Sequence, residues 1–304
     1  MSSSTLIEPS ASRASDLDRD LRERLAGSLQ YLADYLSTDS WNGAGVAAPV
    51  MAALQAGTVS PWVFGLYAMV ARQASLGELD TARQTFERLA SEQHEGMADA
   101  VVSLSDPRLT PVHREAARHL LDTDSERAFQ PRAPSATECS ACAAHIGAAR
   151  DLLATGDPAF AAEINLLLRL IILAVPGSPD PEQAFNGAST FFLWGATTLN
   201  ARSQKGVIKT VDTLVHEASH LLLFGLVSGG SLSDNDPAAR YASPLREDPR
   251  PIEGVFHATF VATRVHLAMM RLRANPEIPQ RLLPDMADRA AINATAAMAG
   301  LDNL

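Results

Sequence analysis

Hydrophobic residues recur at helical spacing along most of this chain. In LRERLAGSLQYLADYL, leucines at positions 21, 25, 29, 32 and 36 make one face of the segment apolar. The same reading predicts helices at about 16–36, 45–76, 78–91, 110–122, 139–155, 157–175, from about 207 onward, from about 248 onward and at 284–299. The segment at 157–175 is apolar nearly all round, so we expect it to be buried.

One segment has the composition of a strand instead. STFFLWGATTLN, residues 189–200, is rich in aromatic and β-branched residues and is interrupted by Gly195. This predicts a bent strand or a hairpin arm. Such a strand could bind an extended peptide along its edge, or it could be a plain core strand. The predicted fold is therefore mostly α with a small β element.

Breaks in the pattern suggest three parts of the chain. Residues 1–15 are Ser-rich and polar, which is typical of a flexible tail. VPGSPDPEQ, residues 175–183, strongly disfavours helix and strand. It predicts a boundary between a helical region at 16–180 and a metal-binding region at 181–304. The helical region carries no motif, and our hypothesis is that it binds a peptide.

Composition and charge narrow the class of protein. The 304 residues are 46% hydrophobic and 20% charged, with a formal net charge of −10, so neither nucleic acid nor an anionic membrane is an expected partner. The start lacks a basic segment followed by an apolar one, and no apolar run is long enough to span a bilayer. We expect a cytoplasmic protein. Its two cysteines, Cys139 and Cys142, are expected to be ordinary helix residues.

The segment TLVHEASHLLLF contains the chemistry-bearing pattern H-E-x-x-H. His216 and His220 are one helical turn apart, so both imidazoles can face one metal ion. Such a match also arises by chance, but here an apolar flank and a second His-bearing helix downstream favour a metal site. Glu217 is the residue that a zinc peptidase would use as general base.

Spacing alone does not identify the third metal ligand. Metzincin peptidases place Gly and His where this chain has Leu223 and Leu226, so that class is excluded. A glutamate, Glu247 or Glu253, or the histidine His257 could complete the set.

Helix geometry shows which side chains share the face of His257. At about 100° per residue, Arg264 lies within about 20° of His257 and Glu253 within about 40°. His266 points about 180° away and is expected to be structural.

LVHEASHLLLF, followed by LREDPRPIEGVFHATFVATRV, resembles the HEXXH-motif proteins of ribosomal peptide natural-product clusters. That family comprises iron- and 2-oxoglutarate-dependent peptide β-hydroxylases. The resemblance is most specific over residues 188–272 and includes D-P-R-P, Asp248–Pro251. It implies Fe(II) held by His216, His220 and His257, with 2-oxoglutarate as cosubstrate, O2 as oxidant and a ribosomal precursor peptide as substrate.

The remaining candidates follow from that resemblance. Three protein ligands leave about three positions of an octahedral iron open for cosubstrate and O2. The distal carboxylate of 2-oxoglutarate needs a cation, for which Arg264, Arg250 and Arg246 are the candidates. Glu217 and Glu253 would then orient a histidine or a metal-bound water.

Two other functions compete with hydroxylation. One is a zinc metallopeptidase with Glu217 as general base. The other is a non-catalytic peptide-binding protein with a structural metal, which is less favoured because structural zinc sites usually have four ligands rich in Cys.

Overall fold

The mostly α fold with a small β element is confirmed by a computed structural model, which describes residues 6–57, 59–92, 100–121, 130–177, 185–230, 232–236, 238–243 and 249–304. The α-helices of these ranges are α1 (Ala11–Leu36), α2 (Gly43–Ala56), α3 (Pro61–Ser75), α4 (Leu79–Ala90), α5 (Pro111–Leu121), α6 (Ala136–Gly156), α7 (Pro158–Leu167), α8 (Val207–Val227), α9 (Ile252–Ala274) and α10 (Leu283–Leu301). Short 3-10 helices lie at Phe191–Leu193 and Gln280–Leu282. The strands are β1 (Ala100–Ser103), β2 (Leu170–Ala174), β3 (Gly187–Ala188) and β4 (Ala196–Asn200).

The four strands form one sheet in the order β1-β2-β4-β3. β2 pairs in parallel with β1 and β4, while the two-residue β3 is antiparallel to β4. Every residue of β2 and β4 is buried, as expected for the central strands of a largely parallel sheet. β4 lies between β2 and β3, and its five residues are buried, which agrees with the core-strand alternative; β3 pairs only with Thr198 and Leu199 of β4.

The helix predicted at 157–175 is wrong in its second half. α7 ends at Leu167, and the apolar run continues as β2. A fully buried strand and a buried helix both read as unbroken apolar sequence, so periodicity does not separate them. The β-branched Ile171 and Ile172 favour the strand.

The predicted strand at 189–200 is correct only for Ala196–Asn200. Phe191–Leu193 forms a 3-10 helix, capped by the Thr190 hydroxyl, which accepts from the amide of Phe192. Gly195 separates the two elements with a φ of +88°, in the region that glycine adopts without strain.

Other predicted bounds also change. The helix predicted at 45–76 is two helices, because Gly57 ends α2 in a left-handed conformation and the Ser60 hydroxyl caps α3 at Pro61. α1 begins at Ala11, within the predicted tail. The strand β1 was not predicted. α8 and α10 agree with the helices predicted from 207 and at 284–299.

The chain forms two compact units, each built from separate stretches of sequence. The first unit comprises residues 1–14, 140–167 and 202–304, and the second comprises 15–139 and 168–201. These bounds differ from the boundary predicted near residue 180. The second unit contains the whole sheet, and its core includes Trp62, Ile172 and Leu193. In the first unit, α9 packs against α10 and α8, and α8 also packs against α7.

The cysteines lie on α6, as predicted from sequence. Cys142 is buried, and His145 on the same helix donates from Nδ1 to the carbonyl of Gln204 at 2.7 Å. Over the described ranges, every helix is too short or too polar to cross a membrane.

Candidate metal centre

The helix that carries H-E-x-x-H holds its two histidines against each other. α8 runs without interruption from Val207 to Val227, and most of its residues are buried. The Nε2 atoms of His216 and His220 are 3.2 Å apart, and their ring centroids are separated by 4.9 Å. Two imidazole nitrogens therefore converge on one point beside α8.

This separation matches the chemistry of a shared metal ion. Two nitrogens that each bind one ion at about 2.1 Å lie about 3.0–3.4 Å apart in tetrahedral or octahedral geometry. The buried Nδ1 of His220 has no hydrogen-bond partner within the described part of the chain. Buried polar atoms are rarely left so, but Nδ1 points away from the place where the two Nε2 atoms converge, so a shared ion is supported by the Nε2 pair alone.

His257 comes to the same place from α9. Its ring centroid is 5.8 Å from that of His220, and the two ring planes are inclined by only 24°. Phe224 lies against both, with centroid distances of 6.2 Å to His220 and 5.2 Å to His257. The third predicted histidine is thus adjacent to the pair.

The three side chains are not arranged as a finished ligand set. Among the described residues, no group of three or more His, Cys, Asp or Glu side chains has a geometry that could hold a metal ion. The ring of His257 lies beside that of His220 but does not complete such a group.

Burial keeps all three imidazoles in the neutral form that binds metals. It lowers the pKa of His216 to about 4, with a further contribution from the Lys209 ammonium. Burial also lowers the pKa of His220 well below its ordinary value. The pKa of His257 is lowered by burial, against the opposing effect of the Glu253 carboxylate.

Arg264, a candidate for the cosubstrate carboxylate, has its nitrogens engaged by the protein. It is 1% exposed and forms an ion pair through Nη2 with the buried carboxylate of Glu163 on α7. Nη1 donates to the carbonyl of Ile7 at 2.8 Å, and Nε donates to the Ser219 hydroxyl at 3.0 Å. A bound carboxylate would have to displace these partners.

These contacts make Arg264 a link between the two histidine-bearing helices. Ser219 precedes His220 on α8, and its hydroxyl in turn donates to the carbonyl of Val215 at 2.7 Å. Arg264 lies two turns beyond His257 on α9. One guanidinium therefore sets the register between the helices that carry His220 and His257.

The other predicted residues are placed as follows. Arg250 is half-buried just before α9, where its backbone exchanges two hydrogen bonds of 2.8 Å with Tyr241. Glu253 is exposed in the first turn of α9. Arg246 lies outside the described residues, and so do Glu247 and Asp248. His266 donates from Nδ1 to the Ala290 carbonyl at 2.9 Å, which confirms its structural role.

Glu217 is only 2% exposed and follows His216 directly. Lys209 lies on the same helix, close enough for Glu217 to influence its pKa. Sequence reasoning did not identify this lysine as a candidate site residue. Its spacing of seven residues from His216 could have identified it, because residues seven apart on a helix share a face.

No protein-family model and no curated protein matches this chain. The resemblance to the peptide β-hydroxylases therefore depends on the motif residues around His216, His220 and His257.

Proposed function

We propose that the protein is a non-haem iron, 2-oxoglutarate-dependent dioxygenase of the HEXXH peptide β-hydroxylase type. Its substrate would be an amino-acid residue of a ribosomally made precursor peptide, and O2 would be the oxidant. A cytoplasmic location belongs to the same proposal, because precursor peptides are synthesised there. The observation that supports it most is the 3.2 Å approach of the His216 and His220 nitrogens, with the ring of His257 stacked on that of His220.

Each candidate residue would have a defined task. His216, His220 and His257 would hold Fe(II) as neutral ligands, and the bound metal with 2-oxoglutarate would supply the oxidising power for hydroxylation. Phe224 contacts the rings of His220 and His257 and would provide an apolar wall beside the metal. The buried carboxylate of Glu217 would orient a histidine or a metal-bound water, because hydroxylation needs no general base.

Because Arg264 already binds groups of the protein, another cation would have to bind the distal carboxylate of 2-oxoglutarate. Arg264 supports the site by joining α8 to α9, while Glu163 already neutralises its charge. Arg250 remains the arginine candidate among the described residues, and Arg246 is kept as the third. Glu253 would act on the ligand through its effect on His257.

The decisive experiment is anaerobic reconstitution of the full chain with Fe(II) and 2-oxoglutarate. We expect the visible charge-transfer band of iron chelated by a 2-oxo acid, and its loss in His257→Ala. His266→Gln is the matched control, because that histidine lies on the same helix but bonds to a carbonyl of α10. Failure of the wild-type protein to form the band would refute the proposal.

A zinc metallopeptidase is the second candidate, and the burial of Glu217 beside His216 favours it. In that reaction Glu217 would accept a proton from a zinc-bound water. Zinc-dependent peptide cleavage that Glu217→Gln abolishes, without any iron and 2-oxoglutarate signal, would establish the peptidase instead.

A further inference from the structure

Lys209 is a cation on the face of α8 that carries the histidines. It lies seven residues before His216, which corresponds to two turns and a rise of about 10 Å. Thr213 lies between them and is 2% exposed, and its hydroxyl donates to the Lys209 carbonyl at 3.0 Å. The Lys209 ammonium acts electrostatically on both His216 and Glu217.

The charge of Lys209 lies near two carboxylates, Asp212 and Glu217, and one further cation, Arg289. Its Nζ is 4.0 Å from Oδ2 of Asp212, whereas Nη1 of Arg289 is closer to the same oxygen, at 3.4 Å. Two cations therefore share one carboxylate. The Lys209 side chain is only 21% exposed, and Glu217 acts on it more weakly than Asp212 does.

The helix dipole does not favour a lysine at this position. Lys209 is in the first turn of α8, where the helix macrodipole disfavours positive charge. That turn contains no acidic residue, and Gly206 before it provides no side-chain cap. The ammonium itself favours an anion nearby.

We propose that Lys209 binds the distal carboxylate of 2-oxoglutarate while the other end of the cosubstrate faces the three histidines. The inference rests on the proposed function and gives Lys209 the task for which Arg250 and Arg246 were the remaining arginine candidates. An ammonium on a flexible stem suits a carboxylate located along the helix from His216, because it delivers a point charge without the fixed geometry of a guanidinium.

The composition of the chain allows a direct test. Only two of its 25 Lys and Arg residues are lysines, at positions 205 and 209. Reductive methylation with ¹³C-formaldehyde keeps the charge and gives each lysine an NMR signal, which Lys205→Arg assigns. The full chain is loaded with Zn(II), which is diamagnetic, and titrated with 2-oxoglutarate. We expect the Lys209 signal to shift saturably and that of the exposed Lys205 to stay unchanged.

Equilibrium dialysis of radiolabelled 2-oxoglutarate provides a second readout that does not depend on turnover. Lys209→Met should weaken binding by about 10- to 100-fold, the scale of a lost charge-assisted hydrogen bond. Lys209→Arg should restore part of the affinity, and Lys205→Met should bind as the wild type does. Circular dichroism of each variant checks that the fold is retained.

The outcomes separate this inference from the proposed function. If the wild-type protein binds 2-oxoglutarate but neither the Lys209 signal nor the Lys209→Met affinity changes, Lys209 is not the carboxylate ligand and the hydroxylase proposal stands. If the wild-type protein does not bind 2-oxoglutarate at all, the proposed function itself fails.

Discussion

Replacing Glu163 by glutamine should destabilise the first unit far more than an equivalent change at the surface. The carboxylate accepts from the backbone amide of Ser10 at 2.8 Å and from Nη2 of Arg13 at 3.0 Å, and it is paired with Arg264. Glu163 and Arg264 are 0% and 1% exposed. Glutamine keeps the size of the side chain but leaves a buried guanidinium without its anion.

The magnitude follows from the burial of both charges. Breaking a buried ion pair by removing one partner costs about 3–5 kcal/mol, because the remaining charge is still desolvated. This is a large part of the roughly 5–15 kcal/mol that keeps a typical domain folded. An exposed pair costs about 0–1 kcal/mol when it is lost. The side chains of Arg19 and Asp16 form such a pair, at 54% and 59% exposure.

Urea unfolding followed by circular dichroism measures the difference, with Asp16→Asn as the control. The double variant Glu163→Gln with Arg264→Met should lose less than the sum of the single variants, because the unpaired charge is removed with its partner. A loss below about 1 kcal/mol for Glu163→Gln would show that the pair is not desolvated as the structure indicates.

Two further changes test packing and charge. Gly300→Ala would place a Cβ against Oγ1 of Thr259 and should lower the free energy of unfolding by about 1–3 kcal/mol. The control Gly147→Ala meets nothing within 4 Å and should raise it by about 0.5–1 kcal/mol. Thermal unfolding measures both. Burial raises the pKa of Asp212 above its ordinary 3.8, so its contribution to stability is full below that pH and is lost as the pH rises through the folded pKa. The unfolding free energy of the wild type minus that of Asp212→Asn should therefore fall as the pH rises above 3.8, and a constant difference would contradict this reading.

Much of the fold was accessible from sequence because most helices have a visible apolar face. The leucines of α1 and the limits of α8 and α10 follow from local periodicity and breakers. Periodicity could not separate α7 from β2, since a strand buried on both faces has no polar side. The bend at Gly195 likewise depends on a backbone conformation that neighbouring sequence does not announce.

The candidate site, like the fold, was predictable from sequence only in part. Spacing alone predicts that His216 and His220 share a face, and the structure brings their nitrogens together. Spacing also predicted that Arg264 follows His257 on α9, but not that Glu163 would meet it from a helix about 100 residues earlier. Side-chain partners from distant segments decide whether a cation is available to a ligand, and one sequence does not contain them.

The Arg264 contact with the start of the chain has a consequence for biosynthesis. Ile7 and Glu8 bond to Arg264 and Arg271, across 257 and 263 residues of sequence. The segment is therefore translated long before the helix that contains its partners. The first unit therefore cannot complete these native contacts until α9 has been made, and until then the growing chain lacks the partners of this segment.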